Sequence, residues 1–424
     1  MKTNCLLSVG AVLLLLSFTA TPLRGENARF RERVAAWQSP QGPREAAVKN
    51  GASSVRQVAW EEDTSAPPSS GTSNSRFVEE SVDEWTQDGD FAGGYGEGCC
   101  SDWCGNHCGP RLWWFRNEGL LFWRKGRSLP PLVTTSSTPV PPPGTTVLYG
   151  GETETSNARI GGRIDFGTWV GCDEFIGIGG RFWGLANDDT NFSLNSTDLP
   201  GQTIERPFTQ SPNTPNSLVV ADPFNQFNGN ISVNTHSEVF GVDAYARIRC
   251  RQSCMSRTDF VTGYQFARIN ESLQIHSSSQ NNNLVVNDNY STYNEFHGGV
   301  IGVLHDYNYG CVNLMLLARV GLGNMHQTAI ARGDTNGDEG GLYVENNTEL
   351  VRDKFCAVPE LGATIGYQFS PCMQIHVGYT MLYWSDVARP ESVIDQVRGD
   401  NTSLVFRDSS FWVQGVSGGL TVKF

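Results

Sequence analysis

Beyond its first twenty residues this sequence has no apolar run long enough to cross a bilayer as a helix. It is also poor in charge. Only 18% of its 424 residues are Asp, Glu, Lys or Arg, and the mean hydropathy is −0.32. Together these exclude a helical-bundle membrane protein. The formal net charge is −13, so the chain lacks the basic excess that grips phosphates, and no nucleic acid is expected as a partner. No Gly-rich phosphate loop or dinucleotide fingerprint follows a strand and opens a helix. What the sequence does have is 46 Gly and an aromatic set of 22 Phe, 12 Tyr and 11 Trp, a composition that suits strands better than helices.

The first 25 residues carry Lys2, an apolar core from Cys5 to Ala20 and then Thr21-Pro22, the layout of a secretory leader cleaved between Ala20 and Gly25. Residues 26–98 are dominated by Ser, Pro, Gly, Glu and Asp. They read as a disordered periplasmic tail with too little apolar surface to offset its ordering entropy. A Cys-rich segment at 99–110 follows.

From residue 111 to 424 the period becomes two. Ten stretches alternate apolar with other residues, near 112–124, 158–170, 175–186, 231–248, 257–270, 293–305, 312–325, 355–369, 373–384 and 411–424. Their connections alternate long and short. Lys125–Asn157, Asn187–Asn230, Glu271–Thr292, His326–Lys354 and Ser385–Ser410 are long. Gly171–Glu174, Arg249–Ser256, Asp306–Cys311 and Ser370–Cys372 are short. Such alternation gathers every long loop at one end and every short turn at the other. That is the plan of a transmembrane, antiparallel, up-and-down β-barrel of about ten strands, or twelve if strands hide in the loops.

The two faces of each stretch fit this plan. Ile160, Ile164, Phe166 and Val170 oppose Arg159, Arg163 and Asp165; Leu361, Ala363, Ile365 and Tyr367 oppose Glu360 and Thr364. A lipid-facing charge near the midplane costs about 2–4 kcal/mol. The lumen is therefore expected to be lined by Arg116, Glu118, Arg163, Asp165, Arg181, Asp243, Arg247, Arg319 and Glu360, with Arg124, Arg159 and Asp259 beside them. Both signs in so narrow an interior read as a paired network more naturally than as a water path, since barrels of about eight strands fill with side chains. The final strand ends at Phe424, a terminal aromatic of the kind by which outer-membrane barrels are recognised for assembly.

The Trp113-Trp114-Phe115-Arg116 opening, Lys125-Gly126, Leu129-Pro130-Pro131-Leu132-Val133-Thr134 and Leu148-Tyr149-Gly150-Gly151 resemble the putative β-barrel porin family of planctomycete outer membranes. Ser237-Glu238 and Gly263-Tyr264 with Glu271-Ser272-Leu273 are similar too. The resemblance spans about 111–424. It implies a barrel, presumes a pore and offers no catalytic residues.

An exported chain meets an oxidising compartment, where disulfides are the default. Cys172, Cys250, Cys254, Cys311 and Cys372 fall in or beside short turns, so neighbouring turns are expected to be bridged. Cys99, Cys100, Cys104 and Cys108, with His107, admit either a disulfide staple from tail to barrel or a zinc site, although their spacing is not that of paired Cys-x-x-Cys ligands. Asp334, Asn336, Asp338 and Glu345 occupy positions 1, 3, 5 and 12 of a calcium loop, but Glu339 stands where such a loop needs Gly. His276, His297 and His326 fall near the outer rim without an accompanying nucleophile arrangement, and no enzyme or cofactor is expected.

The expected function is passive diffusion of small solutes or ions by a monomeric barrel in the outer membrane, with outer-membrane lipid and the barrel-assembly machinery as partners. The alternative is a closed barrel that presents its outer loops for envelope architecture or adhesion.

Overall fold

A computed structural model of the chain describes residues 112–137, 146–154, 157–171, 173–210, 214–398 and 406–424. The leader, the tail, the segment at 99–110 with its four cysteines, and Cys172 lie outside the described residues.

Ten strands form the wall: β1 (Trp113–Arg124), β2 (Arg159–Val170), β3 (Ile176–Asn195), β4 (Gly229–Gln252), β5 (Ser256–Ser279), β6 (Leu284–Tyr309), β7 (Val312–Thr335), β8 (Thr348–Ser370), β9 (Met373–Trp384) and β10 (Phe411–Lys423). Each pairs antiparallel with the next, and β10 pairs with β1 to close the ring. At the seam Trp113 and Phe424 exchange backbone hydrogen bonds of 2.8 and 3.0 Å. Closure leaves no ladder edge in hydrocarbon, where an unpaired backbone group costs several kcal/mol.

The wall is lopsided. β1, β2, β9 and β10 have 12 or 13 residues, about what a tilted membrane strand needs, whereas β4 to β8 have 23 to 26. The extra eleven or so residues raise that side by roughly 35 Å before tilt is allowed for. Where the wall leaves the membrane, its two faces exchange character. In the lower part of β4 Val242 faces outward and Asp243 inward; above Phe240 the inward residues become Ile231, Val233 and Val239, while Asn234, His236 and Glu238 face out. β5 does the same, with Phe260 and Tyr264 outside below and Ile269, Leu273 and Ile275 inside above.

That upper apolar face is covered by a second layer. A sheet built from three outer loops contains Thr203–Gln210 at its centre, paired with Val133–Ser136, Thr214–Ala221 and, in parallel, Val397–Arg398; Val133–Ser136 also pairs with Thr146–Tyr149. Leu132, Val133, Ile204 and Val220 pack against Ile231, Val233, Leu273, Ile275 and Tyr290 of the wall. The head is thus a two-layer sandwich, and its loop strands lie outside the ten alternating stretches of the sequence.

One buried pair ties the layers together. Arg206, from the cap, is hydrogen-bonded to Asp288 of β6, both fully buried, and its guanidinium lies 4.9 Å from the Tyr343 ring centroid. Asp288 also accepts the backbone N–H groups of Leu342, Tyr343 and Val344 at 3.3, 3.0 and 3.1 Å. Removing one member of such a pair costs about 3–5 kcal/mol because the other charge is stranded. Asp288→Ala is therefore expected to loosen the head alone: limited proteolysis will cut within 199–228 faster than in the parent chain, while heat-modifiable gel migration of the barrel stays unchanged.

Candidate functional site in the barrel lumen

Charged side chains of the wall strands meet across the barrel interior. Arg181 Nε donates to Asp243 Oδ2 at 2.6 Å, and its two terminal nitrogens donate to the two oxygens of Glu360 at 2.6 and 2.8 Å. Arg319 completes the square, 2.7 Å to Glu360 and 2.9 Å to Asp243. Arg181 stands on β3 and Glu360 on β8, five strands apart in a ring of ten. This bidentate bridge therefore runs along a diameter.

Toward the short turns, Glu118 takes Arg163 and, at 2.9 Å, Arg116. His376 Nε2 sits 3.1 Å from both Arg116 Nε and Glu118 Oε1. Arg247 reaches Asp259 at 2.6 Å and Asp306 at 3.4 Å, and Arg257 lies 3.9 Å from the centroid of Trp169. Asp165 is held by neutral donors, Trp114 Nε1 and the Tyr245 hydroxyl, each at 2.8 Å. These groups line a cavity of about 780 Å³, with Gln252, Ser253, Cys254 and Asn308 of the turns among its lining residues. Its cations are Arg116, Arg163, Arg181, Arg247, Arg257, Arg319 and Lys423; Glu118, Asp165, Glu174 and Asp306 line it as well, and Asp243, Asp259 and Glu360 pair from just behind. The two signs balance.

Above the ionic square the interior is apolar. Leu120, Phe122, Trp183, Leu185, Val239, Ile269, Phe296, Met325, Val358, Trp384 and Phe411 form one buried cluster to which nine of the ten strands contribute. Trp183 on β3 and Trp384 on β9 approach with ring centroids 6.3 Å apart, again from far sides of the ring, and Phe411 lies 5.9 Å beyond Trp384.

At the mouth, the loop after β9 dips inward. Val387, Ala388 and Arg389 are buried, and Asn294 of β6 bonds both ways to the Ala388 backbone at 2.7 and 2.9 Å. Arg389 Nε donates to Glu271 at 2.9 Å, and Arg124 and Arg127 stand 3.6 Å from the same carboxylate. A short helix, α1 (Pro390–Val393), follows. Burial alone would raise the Glu271 carboxyl, but Arg389, Arg127 and Arg124 outweigh it and hold it below its ordinary value.

A family model, putative beta barrel porin-7, matches residues 114–424. The chain belongs to that family. Among curated proteins none matches. Solved structures that resemble this porin-7 chain include the outer membrane protease OmpT from Escherichia coli, at 11% identity over 74% of this chain and 97% of that one, with a TM-score of 0.42. A toluene transporter TodX from P. putida is similar at 7% identity over 74% and 91%, with a TM-score of 0.17. Neither likeness is close enough to carry an argument about activity.

For this member of the porin-7 family, several sequence expectations need correction. Cys250 and Cys372 carry thiols rather than disulfide sulfurs, whereas Cys254 and Cys311 are disulfide-bonded. The calcium loop is a β-hairpin tip. Asp334 and Thr335 pair with Glu339 and Asp338, and Asn336-Gly337 turn with φ of 51° and 91°, the positive values a two-residue hairpin requires. Asp334 is taken by Asn287 at 3.1 Å and Glu345 faces Arg398 at 3.5 Å, so the four residues are not gathered, and no metal-ligating cluster occurs among the described residues. His276, His297 and His326 lie on the outer surface beside Asn287, Tyr264 and Asp353. His376 is a lumen contact outside the expected set. Its signal was present, a polar residue on the inward beat of β9.

The mouth carries a pH dependence. Burial, reinforced by the Glu271 charge and opposed by Arg389, pushes the Glu391 carboxyl up to about 7. A raised carboxyl stabilises the closed mouth fully below its unfolded value near 4.5 and loses that contribution as pH rises through about 7. Glu391→Gln removes the titration. Amide exchange over 387–394 is expected to be slower in the variant at pH 8, by about 1–2 kcal/mol of local stability, and equal in the two chains at pH 4.5.

Proposed function

We propose that this chain is a closed outer-membrane barrel whose task is to hold a β-sandwich head outside the membrane for envelope architecture or adhesion. The observation that carries this reading is the diametric Arg181–Glu360 bridge. Side chains that bond across the full width of a lumen leave no water column at that level, and the Trp183–Trp384 layer above it is dry. Opening the square strands a buried charge at about 3–5 kcal/mol, which populates an open lumen in fewer than roughly one barrel in a hundred. The chain is taken to reach the outer membrane through its leader, to leave residues 26–98 in the periplasm, to present Phe424 to the assembly machinery and to act as a monomer without enzymatic chemistry.

Passive diffusion of small solutes or ions is the second reading. It draws on the family and on the water-sized space below the square, and it requires both blocking layers to move. Single-channel conductance of the refolded mature chain in a planar bilayer separates the two, with folding verified beforehand by heat-modifiable migration. The closed reading expects a folded, silent barrel. Reproducible steps that change in size on Arg163→Ala or Arg319→Ala would overturn it.

A further inference from the structure

Where the tall side of the wall rises above the membrane, its outer face is polar and nearly free of charge. Register sets Asn191 of β3, Asn234 of β4, Gln274 of β5 and Asn289 of β6 side by side in one transverse row, which ends on β7 at Arg332. Neighbouring strands lie about 4.8 Å apart, so the four amides span about 14 Å. The next row outward repeats the theme with Ser193, Ser232, His276 and Asn287. Among the described residues that face outward between Asp189 and Asn195, Asn230 and His236, Ser272 and Ser278, and Val285 and Ser291, only Asp189 is charged. It is taken by His236 at 2.6 Å. A soluble surface carries charge at about a quarter to a third of its positions. This one offers amides, hydroxyls and imidazoles instead, which both donate and accept hydrogen bonds.

We propose that this face docks the uncharged saccharide chains of the glycolipid in the surrounding outer leaflet. The inference rests on the reading of the head as envelope architecture and names its partner. Continuity with the lipid-facing wall identifies the source. Lower on the same strands Phe240 and Phe266 face outward, and Asn234 lies six residues beyond Phe240, about 20 Å along the strand before tilt is allowed for. Acyl chains end below that level and headgroup sugars begin there. Charge selects sugar over phosphate. Arg268, which lies against the Phe240 and Phe266 rings, is already paired with Glu295. A sugar hydroxyl donates and accepts as an amide does, so a saccharide chain laid across the strands meets one amide per strand. Asn and Ser also lose less rotamer freedom on docking than the long Lys and Arg side chains of an ordinary surface. Below the amide row on β6, Tyr293 is 44% exposed and presents a ring to the apolar face of a sugar.

The probe is the polysaccharide freed by mild acid from the glycolipid of the native outer membrane, without its lipid part. Its binding to the folded chain in detergent is measured by titration calorimetry. The proposal expects saturable binding that added salt leaves nearly unchanged, since no ion pair is formed. In Asn234→Ala/Gln274→Ala/Asn289→Ala, binding is expected to weaken about tenfold or more, with heat-modifiable migration unchanged. Gln274→Lys alone, at an exposed position, gives a second variant that keeps the fold and also binds more weakly. Four results would overturn the proposal. They are a folded parent chain that binds no polysaccharide, equal binding by the triple variant, binding of intact glycolipid alone, and a dimer of the parent that the triple variant abolishes. The third assigns recognition to the lipid part, and the fourth gives the face to a second copy of this chain. Conductance tests the closed lumen separately. A conducting barrel that binds the polysaccharide retires the closed reading and keeps this face, whereas a silent barrel that binds none retires this face alone.

Discussion

Everything in this molecule follows from where its charges can go. A strand that crosses hydrocarbon must turn apolar residues to the lipid, so every Arg, Asp and Glu on it is sent to the lumen. Ten strands make that lumen narrow enough for one guanidinium to reach a carboxylate on the opposite wall. Once Arg181 and Glu360 can touch, leaving them apart would mean leaving charges desolvated by the surrounding wall and unpaired, which is the costlier state. The ring size and the lipid face thus close the barrel between them; no separate blocking element is needed at that level.

The same reasoning explains the head. Once β4 to β8 rise beyond the membrane, water replaces lipid outside and the constraint reverses. Polar side chains such as Asn234 and His236 are now free to face outward, and apolar ones such as Ile231, Val233, Leu273 and Ile275 turn inward. A one-sided apolar wall in water must be covered, and the outer loops fold into a sheet that covers it. The loops are long because they carry this second layer, and Asp288 is buried in it because Arg206 arrives from the cap to meet it.

This reversal also sets what could be read in the sequence. The lower ten strands were legible because their period-two pattern and the loop alternation agree, and the charged beat of each named the lumen residues. The upper halves of β5 to β7 were not. Their apolar residues shift by one position relative to the lower halves, so a single alternating pattern breaks at residues such as Phe266 and Met325 and ends there. The cap strands were invisible for a different reason. Thr203–Gln210, with Glu205, Arg206 and Pro207, has no clean alternation, and it becomes a strand only because Val133–Ser136 and Thr214–Ala221 supply its ladder. The acidic tip at 334–345 looked like a cation loop because hairpin turns and calcium loops use the same short polar residues; the Asn336-Gly337 pair decides between them.

The interior is asymmetric along its axis, and that asymmetry has a physical meaning. Above the square the space is filled by Trp183, Phe296, Trp384 and Phe411, which pack as a protein core does; below it about 780 Å³ remains open among balanced charges. A barrel needed only as an anchor gains stability by filling both halves with apolar side chains, since buried ion pairs are often no better than well-packed hydrophobic residues. Retaining a polar space on the short-turn side alone forgoes that gain. That space lies among the short turns, whose Gln252, Ser253 and Asn308 help to line it, whereas nothing polar needs to pass the apolar layer. The ionic square therefore acts as a floor between a polar lower chamber and an apolar upper plug. Its four residues are the place where a change of one side chain would alter both.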